Sequence, residues 1–272
     1  MQRFSFFAIL LSLLIASSCT QHEPVTTAKA GLTAEAVVAS LPKLLDRNAA
    51  IRNGKEWDDV QNFYAARRRE LQQNPNATEP RLKLAELFIQ EARVTGEHPH
   101  YYPAALQMLD EVLAMIPQDN PAGLKTDQKD LLFRSLSAKA SVQLSLHDFA
   151  HALETANKAV AINPHNAQIY GALVDANVEL GHYARAVEMA DKMVSIRPDL
   201  RSYSRVAYLR EIHGDVQGSI DALTMAVKAG YPGQESTAWA RLTLGNLYKT
   251  YGDLKDAELQ YQIIVAERQD YP

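Results

Sequence analysis

A Pro and a Gly-containing turn recur along this chain at nearly constant spacing, and that recurrence constrains the fold more than any other feature. Pro164 and Pro198 stand 34 residues apart. Between such landmarks lie Ala-rich amphipathic stretches on either side of a Gly-Asp or Gly-aromatic turn, the pattern of two short helices. A unit of this size cannot bury its own apolar face, so neighbours must stack to make a core. Other routes to stability are closed, because one cysteine, Cys19, allows neither an internal disulfide nor a multi-cysteine metal cluster. A net charge of −4 argues against a nucleic-acid binder that relies on bulk positive field. The short run Arg67-Arg68-Arg69 falls in a helical pattern and reads as a solvated face.

Tyr170, Leu173, Gly181, Tyr183, Ala186, Ala190 and Pro198 hold the spacings of the tetratricopeptide repeat, and this segment resembles that family. The last segment repeats the match with Leu244-Gly245-Asn246-Leu247-Tyr248, Gly252-Asp253, Ala257, Tyr261 and Ile264. The one before it has Tyr203, Val206, Ala207, Gly214-Asp215, Leu223 and Ala226, with Ser219 in place of the usual Ala. Upstream, Leu136, Ala140, His147-Asp148-Phe149, Ala152, Ala156, Ala159 and Pro164 fit with a longer first helix. Leu84, Ala85 and Phe88 begin a further repeat completed by Ala105, Leu109, Val112 and Pro117, with Val94 to Tyr102 as an insertion and Gln118 to Lys129 as a second interruption. The expected fold is therefore all-α: an α-solenoid, or superhelix, of stacked helix-turn-helix repeats. About five repeats occupy 78–272. A degenerate helical pair over 33–77 precedes them, with one helix around Thr33 to Asn48 and another through Trp57, Val60, Phe63, Tyr64 and Leu71. Small residues such as Ala140 with Ala152, or Gly245 with Ala257, are expected where the paired helices cross.

Arg3, the apolar stretch Phe4 to Ala16 and the small residues Ser17-Ser18-Cys19 describe a secretory signal peptide. A stretch of thirteen residues, apolar except for Ser5 and Ser12, is too short to span a hydrocarbon core of about 30 Å as a helix. Ala16-Ser17-Ser18-Cys19 resembles the lipobox of bacterial lipoproteins, although Ala16 stands where Leu is commonest. The resemblance implies cleavage after residue 18 and lipidation of Cys19, and the polar, small and non-periodic stretch Thr20 to Gly31 reads as a flexible tether over 19–32. The alternative is an ordinary signal peptide with an incidental Cys. Thr20, not Asp, follows Cys19, so the expected location is the cell envelope, lipid-anchored to the outer membrane and facing the periplasm.

No phosphate-binding loop, dinucleotide fingerprint, zinc-protease motif or nucleophile elbow is present. The densest polar-aromatic cluster is His98-Pro99-His100-Tyr101-Tyr102, read as an ordered loop between helices. His147 and His151 have i, i+4 spacing, but the register puts the first in a turn and the second in the next helix. No catalytic residue, metal site or cofactor is therefore assigned, and the chain is read as a non-enzyme.

In the family that the repeats resemble, the first helix of each pair lines a concave face. Carried over position by position, the resemblance implies that Arg134, Ser141, Gln168, Asp175, Glu179, Arg201, Tyr208, Glu211, Trp239, Asn246 and Lys249 face a protein or peptide partner, with Ser137, Ser204 and Thr250 beside them. The other reading is that Trp239 covers a neighbouring repeat and the polar positions are merely wet. Two further functions stay open: glycan or small-ligand capture, and an accessory subunit of an envelope enzyme complex. Leu259, Ile263 and Ile264 near the end of the chain are expected to leave an apolar edge for self-association or a continuing array.

Overall fold

A computed structural model of the chain describes residues 33–269, apart from Asn53 and Asp119. The expected signal peptide, the tether and lipidated Cys19 lie outside the described residues. Two contact units divide the chain, Met1–Leu32 and Thr33–Pro272, and the second is described here.

Among the described residues the regular structure is helical: α1 Ala34–Ser40, α2 Gly54–Gln73, α3 Thr78–Thr95, α4 His98–Ala114, α5 Thr126–Ser145, α6 Phe149–Ile162, α7 Ala167–Glu179, α8 Tyr183–Ile196, α9 Leu200–Ile212, α10 Val216–Ala229, α11 Glu235–Thr250 and α12 Leu254–Glu267. The last ten pack as five hairpins, α3/α4 through α11/α12, and each hairpin then packs on the next. This is the all-α solenoid of tetratricopeptide-type repeats. Its core is a relay: one apolar cluster runs from Val37 to Met193, a second joins it at Met189, and a third takes over at Val206. Stability accordingly sums over neighbouring repeats. Ala140, Ala152, Gly245 and Ala257 are all buried at the crossings.

Four hairpin turns share one geometry. Gly181, Gly214 and Gly252 have positive φ. In each case the next residue donates its N–H five residues back: His182 to Asn177, Asp215 to Arg210, Asp253 to Tyr248. This is the closing bond of a helix ended by a left-handed residue. In the fourth turn His147 takes the left-handed place with φ 59°, and Asp148 donates to Gln143. Gly214→Ala should therefore cost about 1 kcal/mol through backbone strain, whereas Gly54→Ala, with φ outside that region and open space at its Cβ, should cost nothing. Urea unfolding of the two variants checks this.

Three expectations need correction. The first helix stops at Ser40 instead of running to Asn48, because Pro42 forces the residue before it out of the helical region, and Leu41 is extended at φ −67°, ψ 131°. Residues 41–48 cross the neighbouring helices without helical structure of their own. Tyr64 donates its hydroxyl to the Pro42 carbonyl, the Leu45 N–H donates to the Tyr101 hydroxyl, and His100 Nε2 bonds the Lys43 carbonyl. Second, Val94 to Tyr102 is not an insertion. Its turn is only Gly96 and Glu97, and α4 starts at His98 with Pro99 in its first turn, where a missing N–H is harmless. Tyr101 and Tyr102 are buried core residues. Third, Arg67 and Arg68 are partly buried: Arg67 pairs with Glu70 and lies over Phe63, and Arg68 lies over Tyr64.

At the C-terminal edge, Leu259 is exposed as expected but Ile264 is buried. Leu254 and Val265 join the exposed apolar set. Val227, the residue of α10 that matches Val265 in α12, is buried against residues of α11, whereas Val265 has no following hairpin over it among the described residues.

Candidate functional site

The first helices of the hairpins, α3, α5, α7, α9 and α11, contribute to one face of a groove. Within it is a cavity of about 860 Å³. Its wall runs from Ile51, Arg93, His98 and Tyr102 at one end, through residues of α5, α7 and α9, to Trp239, Thr243 and Arg268 at the other.

Seven of the eleven expected contact residues line this cavity: Ser141, Gln168, Asp175, Arg201, Tyr208, Glu211 and Trp239. Ser137 and Ser204 line it too, but their hydroxyls donate to the carbonyls of Phe133 and Leu200 within their own helices. Four expected residues fall outside the lining. Arg134 Nη1 is 3.0 Å from Glu79 and Nη2 is 3.2 Å from Glu86, so it ties α5 to α3. Burial works against its charge, but the hydrogen bonds and charges of the two glutamates outweigh it and hold the guanidinium above its ordinary pKa. Asn246 accepts a 2.8 Å hydrogen bond from the Tyr261 hydroxyl on α12. Glu179 and Lys249 are exposed at the ends of their helices, as is Thr250, which donates to the Asn246 carbonyl.

A second cross-helix tie escaped the sequence reading. Arg205 on α9 donates Nη2 to Asp175 Oδ2 at 2.6 Å and Nε to Oδ1 at 2.9 Å. Its Nε also reaches the Gly171 carbonyl at 3.2 Å. A Cβ on Gly171 would lie 2.9 Å from the Arg205 Cζ, so this glycine leaves the space that the guanidinium fills. The signal was present: Gly171 and Arg205 are one repeat length, 34 residues, apart, which puts them side by side on successive first helices. Ser141 is engaged as well, accepting from Arg93 Nη2 at 2.9 Å.

What remains is a smaller set. Gln168, Arg201, Tyr208, Glu211, Glu235 and Trp239 line the cavity, and their side chains make no hydrogen bond or ion pair with the described residues. Tyr208 is 47% exposed and Trp239 43%, large for aromatic residues on a concave wall. Partial burial pushes the Tyr208 hydroxyl pKa up, and the charge of Glu179 adds to this, followed by Tyr183, Glu211 and Asp175. The other polar clusters are absorbed by structure: His98 stacks on Tyr102, and His151 pairs with Asp148. Among the described residues no three His, Cys, Asp or Glu side chains converge on a point.

The family model for the tetratricopeptide repeat matches residues 143–211, from the end of α5 to the end of α9. Among solved structures the chain is similar to a thermophilic TPR protein of Thermus thermophilus, at 22% identity and a TM-score of 0.57, over 70% of this chain and 91% of that one. It is also similar to a chain of the APC/C hetero-tetramer Cut9–Hcn1, at 13% identity and a TM-score of 0.61, over 76% of this chain and 37% of that one. BtubC of P. vanneervenii is similar at 18% identity and a TM-score of 0.51, over 80% of this chain and 92% of that one. No curated protein matches the chain. These likenesses show the fold.

Proposed function

We propose that this protein is a lipid-anchored scaffold of the cell envelope that holds a segment of another protein in its groove and performs no chemistry on it. The observation that carries the reading is the contrast inside the groove. Two arginines of the first helices, Arg134 and Arg205, are consumed by ties to the neighbouring repeat. Tyr208, Trp239, Arg201 and Glu211 are left unengaged and gathered on one cavity wall. Aromatic and Arg side chains that stand half-exposed in a concave site are the types that dominate protein-binding energy. A peptide segment supplies what they lack: apolar surface against the rings and opposite charges for Arg201 and Glu211.

The anchor rests on the sequence, on the order Arg3, Phe4 to Ala16 and Ala16-Ser17-Ser18-Cys19. Several acyl chains on one cysteine hold a protein stably, at about 0.8 kcal/mol per buried CH₂. The outer membrane, with the groove facing the periplasm, is the proposed address because Thr20 follows the cysteine. Mass spectrometry of the mature N-terminus tests the anchor: an acylated Cys19 supports it, and a cleaved but unmodified N-terminus removes it. The binding reading is tested by comparing proteins retained by the intact chain and by its Tyr208→Ala and Trp239→Ala forms.

A further inference from the structure

In a solenoid each repeat ordinarily touches only its neighbours, and this one departs from that rule. Glu56, in the first turn of α2, meets Arg268, just past α12, with Nη2 and Oε2 3.8 Å apart. Both belong to chains of contacts. The other oxygen of Glu56 accepts from Arg47 Nη1 at 2.9 Å, and Arg47 is held in turn by Glu91. Arg268 also donates to the Gly233 carbonyl at 3.4 Å, and its neighbour Glu267 accepts from the Gly233 N–H and lies 3.8 Å from Arg241. Arg268 is thereby pinned to its own end of the stack, and Glu56 to the other. The same closure is visible in the cavity, whose wall includes Ile51 near α2 and Arg268 past α12.

The junction between the ends differs in kind from the junctions between repeats. Neighbouring hairpins share apolar clusters, but no cluster among the described residues contains side chains from both α2 and α11 or α12. The ends meet through polar groups 3.8 Å apart, beyond hydrogen-bond reach, with the Glu56 side chain 36% exposed and that of Arg268 13%. A contact of that kind is weak and screened by salt. We infer that Glu56 and Arg268 form a latch that closes the two ends of the solenoid on each other, and that opening it widens access to the groove. The latch deepens the proposed function, but it rests on contacts at the ends and not on the identity of any occupant.

The test uses the full chain with Cys19→Ser and spin labels at Asn62→Cys on α2 and Ala266→Cys on α12, both exposed. At low salt the intact latch gives one short label-to-label distance. Arg268→Glu shifts the population to longer distances, lowering the closed-to-open ratio by roughly three- to ten-fold for loss of a part-exposed pair and its replacement by repulsion. Molar salt produces the same shift, and Arg268→Lys keeps the short distance. Circular dichroism confirms that the helices are intact. An unchanged distance in Arg268→Glu overturns the latch. Acrylamide quenching reads access separately, because Trp239 lines the cavity and the other tryptophan, Trp57, is buried. Quenching is expected to rise when the latch opens; longer distances without that rise overturn the gating. Failure to retain any protein in the groove, with both responses present, would count against the binding reading alone.

Discussion

Replacing Glu91 with Ala is expected to destabilise the N-terminal end of the solenoid by about 3–5 kcal/mol, the cost of leaving a buried charge without its partner. Glu91 is 0% exposed and Arg47 2%. Arg47 Nε and Nη2 reach the two Glu91 oxygens at 2.9 and 2.6 Å, a bidentate pair with the geometry that guanidinium and carboxylate favour. Burial opposes the charge on Arg47, and the hydrogen bonds of Glu91 and Glu56 overcome it, holding its pKa above the ordinary value. The Trp57 ring packs 5.3 Å from the same guanidinium. Once Glu91 is removed, Glu56 remains at the edge of the site and faces Arg268 as well. The segment 46–52, which lies beyond the hydrogen bonds at Pro42, Lys43 and Leu45, should detach and become the first site of proteolysis. Because stability here is a sum over neighbours, hydrogen exchange in α7 to α10 should hardly change. The double replacement Arg47→Met with Glu91→Leu should recover most of the loss, since an apolar pair of similar size often substitutes for a buried ion pair. Urea unfolding read by the Trp57 environment, with limited proteolysis, measures both variants against the parent.

Tyr208→Ala and Trp239→Ala are each expected to weaken partner binding by about 2 kcal/mol or more, roughly thirty-fold in affinity. Both rings are about half-exposed and belong to no apolar core cluster, so their removal should lower the stability of the free protein by under about 1 kcal/mol. Binding and folding effects therefore separate at these positions. Tyr231→Ala is the matched control: this ring is 80% exposed and outside the cavity wall, and its loss should leave both affinity and stability unchanged. Affinity is measured by titrating the retained partner onto each purified variant, and denaturant midpoints give the stabilities.

The repeat register was legible because it rests on local requirements. A small residue must stand where two helices cross, which fixes Ala140, Ala152 and Ala257, and a left-handed turn recruits Gly at 181, 214 and 252. Where another residue can meet the same demand, as His147 does, the signal fades. Relations between elements were harder to read. Arg134, assigned to a partner from its position, spends its charge on Glu79 and Glu86 of the preceding first helix. Arg205 went unassigned for the converse reason, since its tie to Asp175 depends on the space left by Gly171. Each case turns on comparing residues one repeat apart, not on the pattern within one helix. The extended strap after α1 had a local cue in Pro42, but its anchors, Tyr64, Tyr101 and Glu91, are distant in sequence. The meeting of Glu56 with Arg268 depends on curvature accumulated over five hairpins, and no single repeat carries a sign of it.

The central claim is that the groove wall, and not the outer surface, holds the partner. The most direct measurement places a photo-activated crosslinking residue at position 168, on the cavity wall that also carries the two aromatic anchors, or at position 231 of the full chain in cells. The account predicts a discrete adduct with one other protein from position 168, absent from position 231 and lost when Tyr208→Ala is added. Equal adducts from both positions, or an adduct from position 231 alone, would contradict it.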